Sequence, residues 1–353
     1  MARVAVERTA ADNATSRLET VRDPANIVMK SQPKVLVTTY HSAFLVKGGG
    51  EFEIVSLVDS LKKQGYVADI YGPFSQSIDN YDVVLHFSVH GGGIELLRSI
   101  ASTGKPIVLW PNLWVDPKCP PPADMIAEYI RLAKFIVFKS VAEKEHFCSY
   151  FPTPESKIRF VPAGVDEIFV KPAPPDLFRT MYRLDRYAIW FGVIEPNKNQ
   201  LAAARALHDT GMPLVFVGRY RDRAYYDACR AAAPDGSIFI DALPYRSEIM
   251  RAALQEANCY IEASKEPPGL SAIAAGLAGC RLVLSDSAWA REHFDGYAEF
   301  VDPDSDDSIR AGVVRSLQET PRTEELRTHL HKHGLPGAIA PLLDVFVQAA
   351  DAS

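Results

Sequence analysis

The sequence lacks any apolar run near the ~18 residues that mark a membrane-spanning helix, any CxxC spacing, and any excess of basic residues. Each absence removes a class of function. Five cysteines stand apart at 119, 148, 229, 259 and 280. An odd number at these spacings suggests neither a zinc site nor a disulfide framework, and the expected setting is a reducing cytoplasm. A net charge of −6 argues against nucleic acid as the main partner. Residues 1–32 contain several acids and no signal-peptide core. They read as a polar extension, one helix at most, with a role in oligomer contact as a guess. No DxD-type acidic pair sits in a convincing loop. The run DPDSDD (302–307) reads as a solvated helix cap, so no metal is expected.

What is present is enough apolar residue for full cores. The chain has 353 residues, 47% of them hydrophobic and 23% charged, a length that suits two domains. Short β-rich runs recur: KVLVTTY (34–40), VADIYG (67–72), YDVVLHFS (81–88), KPIVLW (105–110), KFIVFKS (134–140) and KIRFVPAGVD (157–166). Segments with helical spacing separate them, such as Ile54, Val55, Val58 and Leu61. A proline-rich break, EIFVKPAPPDLF, follows, and then the alternation restarts with YAIWFGVIEP, MPLVFVGRY, SIFIDAL, CYIEAS, RLVLSD and AEFVDP. Apolar strands alternating with helices imply parallel sheets covered on both faces. The expected fold class is α/β, with two doubly wound Rossmann-like domains facing across a cleft. Their expected bounds are 33–170 and 171–335, with a closing helix over 336–353 returning to the first. In such sheets ligands lie beyond the carboxyl ends of the strands.

Four constellations fall at those ends. GGGE (48–51) follows a strand and opens a helix, and Gly49 and Gly50 would let backbone approach an anion. It is neither GxGxxG nor a P-loop, and a plain flexible turn explains it equally well. A second glycine run, 91–93, follows His90. FGVIEPNKNQ (191–200) carries Gly192, Glu195 and Lys198. A lysine at a helix start stands at the wrong end of the dipole unless an anion is bound there. VGRYRDR (217–223) supplies Arg219, Arg221 and Arg223, whose forks suit phosphate oxygens. EASKEPPGLSAIAAGLAG (262–279) places Glu266 before a Pro-Pro-Gly turn, where the backbone donors of Gly269, Leu270 and Ser271 could meet a ligand. Phosphate and sugar hydroxyls together would suit that set.

These stretches, in this order and from about residue 34 onward, resemble the GT-B-fold retaining glycosyltransferases of family 4. FGVIEPNKNQ resembles the family's loop ending in Lys-Asn, and SKEPPGLSAIAAGLAG the family signature around a Gly-Leu turn. VPAGVDEIF resembles the end of the first domain, with Ala163 where asparagine is common. AREHFDGYAEFVDP resembles a late segment of the second, with Glu292 at its acidic position. The resemblance implies a nucleotide-diphosphate sugar as co-substrate, no metal and no other cofactor, and a glycan or lipid-linked acceptor. Polysaccharide or glycoconjugate biosynthesis would be the setting. Lys198 and Glu266 would act on the donor, with Asn112 standing where the family has a histidine. Gly49, Gly50, Gly192, Arg219, Tyr245, Gly269, Leu270 and Ser271 would complete the donor site, with Tyr245 near the base. His41, Trp110 and Trp114 would meet the acceptor. Three departures are plain: Ala274 replaces the family's ribose-binding glutamate, Asn112 the histidine, and Val193 a frequent arginine. They keep a second reading open, a catalytically silent GT-B domain acting as a binding or scaffold subunit. A sugar epimerase would share the cleft but not this motif order. Peripheral membrane attachment and a homo-oligomer stay open as well.

Overall fold

A computed structural model of the chain describes residues 32–45, 48–90 and 92–351. The helix expected within residues 1–32 lies outside the described residues, apart from Gln32 itself. From Pro33 onward the chain forms one compact unit.

Two six-stranded parallel sheets build that unit. The first contains β1 (Val35–Thr38), β2 (Ala68–Ile70), β3 (Val83–Phe87), β4 (Ile107–Trp110), β5 (Phe135–Phe138) and β6 (Ile158–Phe160), in the order β2-β1-β3-β4-β5-β6. Strands β1, β3 and β4 are buried at every position. Their predominantly β-branched and apolar character, broken only by His86 in β3, follows from burial on both faces. Helices α1 (Gly49–Lys63), α2 (Ile94–Ser102), α3 (Ala123–Leu132) and α4 (Val141–Tyr150) make the crossovers. The segment read as one strand over 157–166 divides in two. Its end is a separate short strand, β7 (Val165–Asp166), because Pro162 and Gly164 interrupt the ladder.

A short helix, α5 (Leu177–Tyr182), which the sequence did not suggest, begins at the end of the proline-rich break. The second sheet then runs through β8 (Ala188–Phe191), α6 (Gln200–Leu207), β9 (Leu214–Val217), α7 (Arg223–Ala232) and β10 (Ile238–Ile240). It continues with α8 (Glu248–Gln255), β11 (Cys259–Glu262), α9 (Leu270–Ala278), β12 (Leu282–Ser285), α10 (Ala288–Phe294) and β13 (Ala298–Val301). Its order is β10-β9-β8-β11-β12-β13. Helices α11 (Asp306–Gln318) and α12 (Thr323–Leu330) follow, then β14 (Gly334–Leu335), which pairs with β7. The closing helix α13 (Ala340–Asp351) packs Leu342, Val345, Phe346 and Ala349 into one core with Val35, Val37 and Val108 of the first sheet. The DPDSDD run does cap a helix: Ser305 accepts a hydrogen bond from Ser308 N, with Asp306 and Asp307 in the first turn of α11. All five cysteines are free. Among the described residues no helix is long and apolar enough to cross a membrane.

Candidate active site

In an open parallel sheet the crevice opens where successive connections leave in opposite directions. Here that point lies between β1 and β3 in the first sheet and between β8 and β11 in the second. The glycine loop at 48–50 and the His90 loop flank the first. The Lys198 loop and the Glu266 loop flank the second. Chain segments far apart in sequence are therefore neighbours at the site.

The second switch point is the more completely built. Lys198 ends a 3-10 turn, Pro196–Lys198, and its Nζ lies 3.2 Å from Glu266 Oε2. Asn199 takes a left-handed backbone with φ 60°. Its side-chain amide donates to Ala263 O at 2.9 Å and to Pro303 O at 2.7 Å, pinning the turn to the ends of β11 and β13. Beneath the lysine lies Glu262, only 2% exposed. It accepts hydrogen bonds from Tyr260 Oη at 2.6 Å and Ser271 Oγ at 3.3 Å. Burial pushes the Glu262 carboxyl above its ordinary range, against the opposing pull of Lys198, Tyr260 and Ser271. Burial alone would lower the Lys198 pKa, but the Glu262, Glu266 and Glu195 carboxylates outweigh it and the net shift is upward. The ammonium stays charged throughout the neutral range. Helix α9 begins at Leu270 with Gly269 as its cap residue and no side-chain cap. A Cβ at Gly269 would meet nothing within 4 Å, so space remains open above these free N–H groups.

The first switch point differs in one respect. The N-terminus of α1 already carries an anion of its own. Glu51 Oε2 accepts from Gly48 N at 2.7 Å, and its Oε1 accepts from Tyr40 Oη at 2.8 Å. Burial, reinforced by Glu51, pushes the Tyr40 hydroxyl up to about 12. A bound phosphate at Gly48 would have to displace this carboxylate, whereas α9 offers a free terminus. Gly49 has open space above it, and Gly50 sits against Phe87 and Asn112. Asn112 has φ 45°, a left-handed conformation that asparagine adopts more readily than most residues. Arg221 pairs with Glu195 at 2.8 Å and lies within electrostatic range of both Tyr40 and His90. The two halves thus face each other across one polar cleft.

No protein-family model and no curated protein matches the sequence. Solved structures do match, over nearly the whole chain. Sucrose-phosphate synthase from Thermosynechococcus elongatus superposes with a TM-score of 0.72 at 13% identity, covering 91% of this chain and 100% of that one. A glycosyltransferase from Rickettsia africae gives 0.71 at 13% identity, with coverage of 91% and 100%. HepE from Anabaena, determined in complex with UDP and glucose, gives 0.66 at 14% identity, with coverage of 91% and 98%. The fold is GT-B.

Within this GT-B frame, several residues named from the sequence fall elsewhere than expected. Trp110, assigned to the acceptor, is only 2% exposed, with its ring tilted against Phe87 and Lys139 5.8 Å from its centroid. As a β4 core residue it presents no open ring face. Trp114 stacks on His146 of α4 at 3.8 Å. His41 lies over Gly92, joining the first loop to the second glycine run. Tyr245, expected beside the nucleotide base, instead stacks on Phe52 of α1 at 5.1 Å and meets Ser56 Oγ at 3.3 Å. Arg219 is exposed and forms no side-chain pair among the described residues, while Arg221 faces the cleft groups. Gly192 approaches Gly218 so closely that a Cβ on Gly218 would lie 1.9 Å from the Gly192 carbonyl oxygen. That contact holds the β8 and β9 loops together. Ala274, on the buried face of α9, lies in the core, and its side chain offers no acceptor for a ribose hydroxyl. Val193 is half-buried. Among the described residues no group of three or more His, Cys, Asp or Glu side chains could hold a metal ion.

Sequence reasoning missed Glu262, Tyr40 and Glu51 as cleft groups. The carboxylate of Glu262, at the end of an apolar strand, was the available signal. Two ties between the GT-B halves were also unforeseen. Arg246 pairs with Asp59 of α1 and with Asp166, both at 2.8 Å. Glu292 of α10 accepts from Val141 N at 2.9 Å and Ala142 N at 2.8 Å, capping α4 from the opposite half. Replacing Glu292 with alanine removes an N-terminal cap, and a loss of about 1 kcal/mol is expected in urea unfolding. An unchanged midpoint would mean that water caps α4 equally well.

Proposed function

We propose that the chain is a glycosyltransferase that moves a sugar from a nucleotide-diphosphate donor to a glycan or glycolipid acceptor, with retention at the anomeric carbon. The observation that carries this reading is Lys198 beside Glu266, over the uncapped start of α9, at the switch point of a GT-B sheet. Three of the structural neighbours add weight, since HepE and a trehalose-6-phosphate enzyme were determined with UDP or a UDP-sugar.

The chemistry follows from charge. Departure of a nucleoside diphosphate builds negative charge on the leaving oxygens. An ammonium and free helix N–H groups aimed there stabilise that charge more in the transition state than in the ground state. Lys198 and the N–H groups of Leu270 and Ser271 take this role. Glu266 receives donor-sugar hydroxyls, and Asn112 hydrogen-bonds the sugar from the other half. Arg221, exposed on its loop, can turn from Glu195 to a phosphate. By the family resemblance, the leaving phosphate itself assists deprotonation of the acceptor, so no enzyme base is assigned. Polysaccharide or glycoconjugate assembly in the cytoplasm is the setting this activity suits.

The test is release of nucleoside diphosphate from a panel of UDP-, GDP-, dTDP- and ADP-sugars, with and without simple glycan acceptors. One donor should be consumed, with an acceptor-dependent increase and transfer rather than interconversion of the sugar. If every donor survives, the catalytically silent scaffold becomes the better reading.

A further inference from the structure

Behind the glycine loop lies a buried polar network that the proposed reaction does not by itself require. Lys139, at the end of β5, places its Nζ 2.7 Å from Asn112 Oδ1 and 2.9 Å from Glu53 Oε2 of α1. Glu53 is buried and Lys139 nearly so, with side-chain exposures of 7% and 14%. The ammonium also lies 5.8 Å from the ring centroids of both Phe87 and Trp110. Taking such a charge pair out of water is costly unless every bond is well made. A hydrophobic residue would fill the same space without that cost.

The chemistry of lysine gives the network a consequence. An ammonium donates and cannot accept, so the amide of Asn112 must turn its oxygen toward Lys139. Its NH2 then points the other way. A Cβ built on Gly50 would lie 3.5 Å from Asn112 Nδ2, which puts that NH2 beside the glycine loop. Asn112 Nδ2 has no hydrogen-bond partner among the described residues and is not among the fully buried polar atoms.

We propose that Lys139 is a positioning residue: it locks the Asn112 amide so that Asn112 meets the ligand in the cleft only as a hydrogen-bond donor. The ligand group it serves is therefore an acceptor, a sugar or phosphate oxygen. This inference rests on the glycosyltransferase reading for its ligand, but not for the lock itself.

Removing Lys139 alone would leave Glu53 buried and unpaired, so the test variant is Lys139→Met with Glu53→Gln. With the donor sugar that the panel identifies, this variant should lose about tenfold in kcat, the size of one hydrogen bond, while affinity for the corresponding nucleoside diphosphate stays within about twofold. Asn112→Ala should lose as much, and the triple variant no more than either. Asn112→Asp keeps a partner for Lys139 but has no NH2, and should fare no better than alanine. Losses that multiply in the triple variant, or an active Asn112→Asp, overturn the proposal. If wild-type protein transfers no sugar, the lock is read without ligand from the Asn112 side-chain amide signals in a 1H–15N spectrum. Those signals should shift and broaden in the Lys139→Met, Glu53→Gln variant, and unmoved signals overturn the proposal equally.

Discussion

Replacing Lys198 with alanine is expected to lower donor turnover by about two to three orders of magnitude, the range seen when one preorganised charge-stabilising group is lost. Lys198 pairs with Glu266, four residues before the start of α9. Its removal also leaves Glu262 and Glu266 facing each other without a counter-charge. Donor binding should weaken less than turnover, because on the proposed reading the α9 N–H groups would still hold the diphosphate in the ground state. Steady-state kinetics on the preferred nucleotide sugar checks this. Weaker donor binding with kcat unchanged would assign Lys198 to uniform binding alone.

Acid should unfold the protein well before its carboxylates are all protonated. His86 is fully buried, with Nδ1 shared with Thr38 Oγ1 at 2.9 Å, and His333 is buried with Nδ1 at 2.9 Å from Ala163 O. Burial pushes each imidazole down to about 4. The unfolded chain binds these protons near pH 6.5, and the folded chain does not. Stability is therefore complete above pH 6.5 and is lost as pH falls toward 4. The two histidines together cost about 4 kcal/mol by pH 5. Glu143 works in the opposite sense. Burial pushes its carboxyl up to about 6, so it favours the fold on acidification and is least favourable once pH exceeds 6. It returns about 1 kcal/mol, so these three groups together contribute a loss of about 3 kcal/mol between pH 7 and pH 5. Urea unfolding at the two pH values measures it. Replacing His86 and His333 with asparagine should remove most of the difference. A wild-type protein equally stable at both would show that these rings take up protons in the folded state.

The strand alternation was legible because parallel strands covered on both faces must be mostly apolar, as VLVT, VVLHF and IVLW are apart from Thr38 and His86. Lys198 and Glu266 were legible for a related reason. Each lies in the segment between a strand and the next helix, and loops after strands carry ligand sites in this class of sheet. Their 3.2 Å approach was not legible, because nothing local states that β8 and β11 are neighbours. The same gap hid the Glu292 cap on α4 and the stacking of Tyr245 on Phe52, which depend on how the halves meet. Trp110 misled for a simpler reason. An aromatic at a strand end serves packing or ligand binding equally well in sequence, and only its burial decides. Glu51 shows the reverse case. GGGE reads as an anion site until the glutamate is seen to occupy it.

The central claim is that this cleft binds a nucleoside diphosphate through Lys198 and the start of α9. Titration calorimetry of the wild-type protein with UDP, GDP, dTDP and ADP tests it most directly. The account expects one nucleotide to bind clearly better than the rest, with Lys198→Ala weakening it by about tenfold or more, as for a lost charge-assisted hydrogen bond. Absence of binding by all four, or affinity indifferent to Lys198, would contradict it.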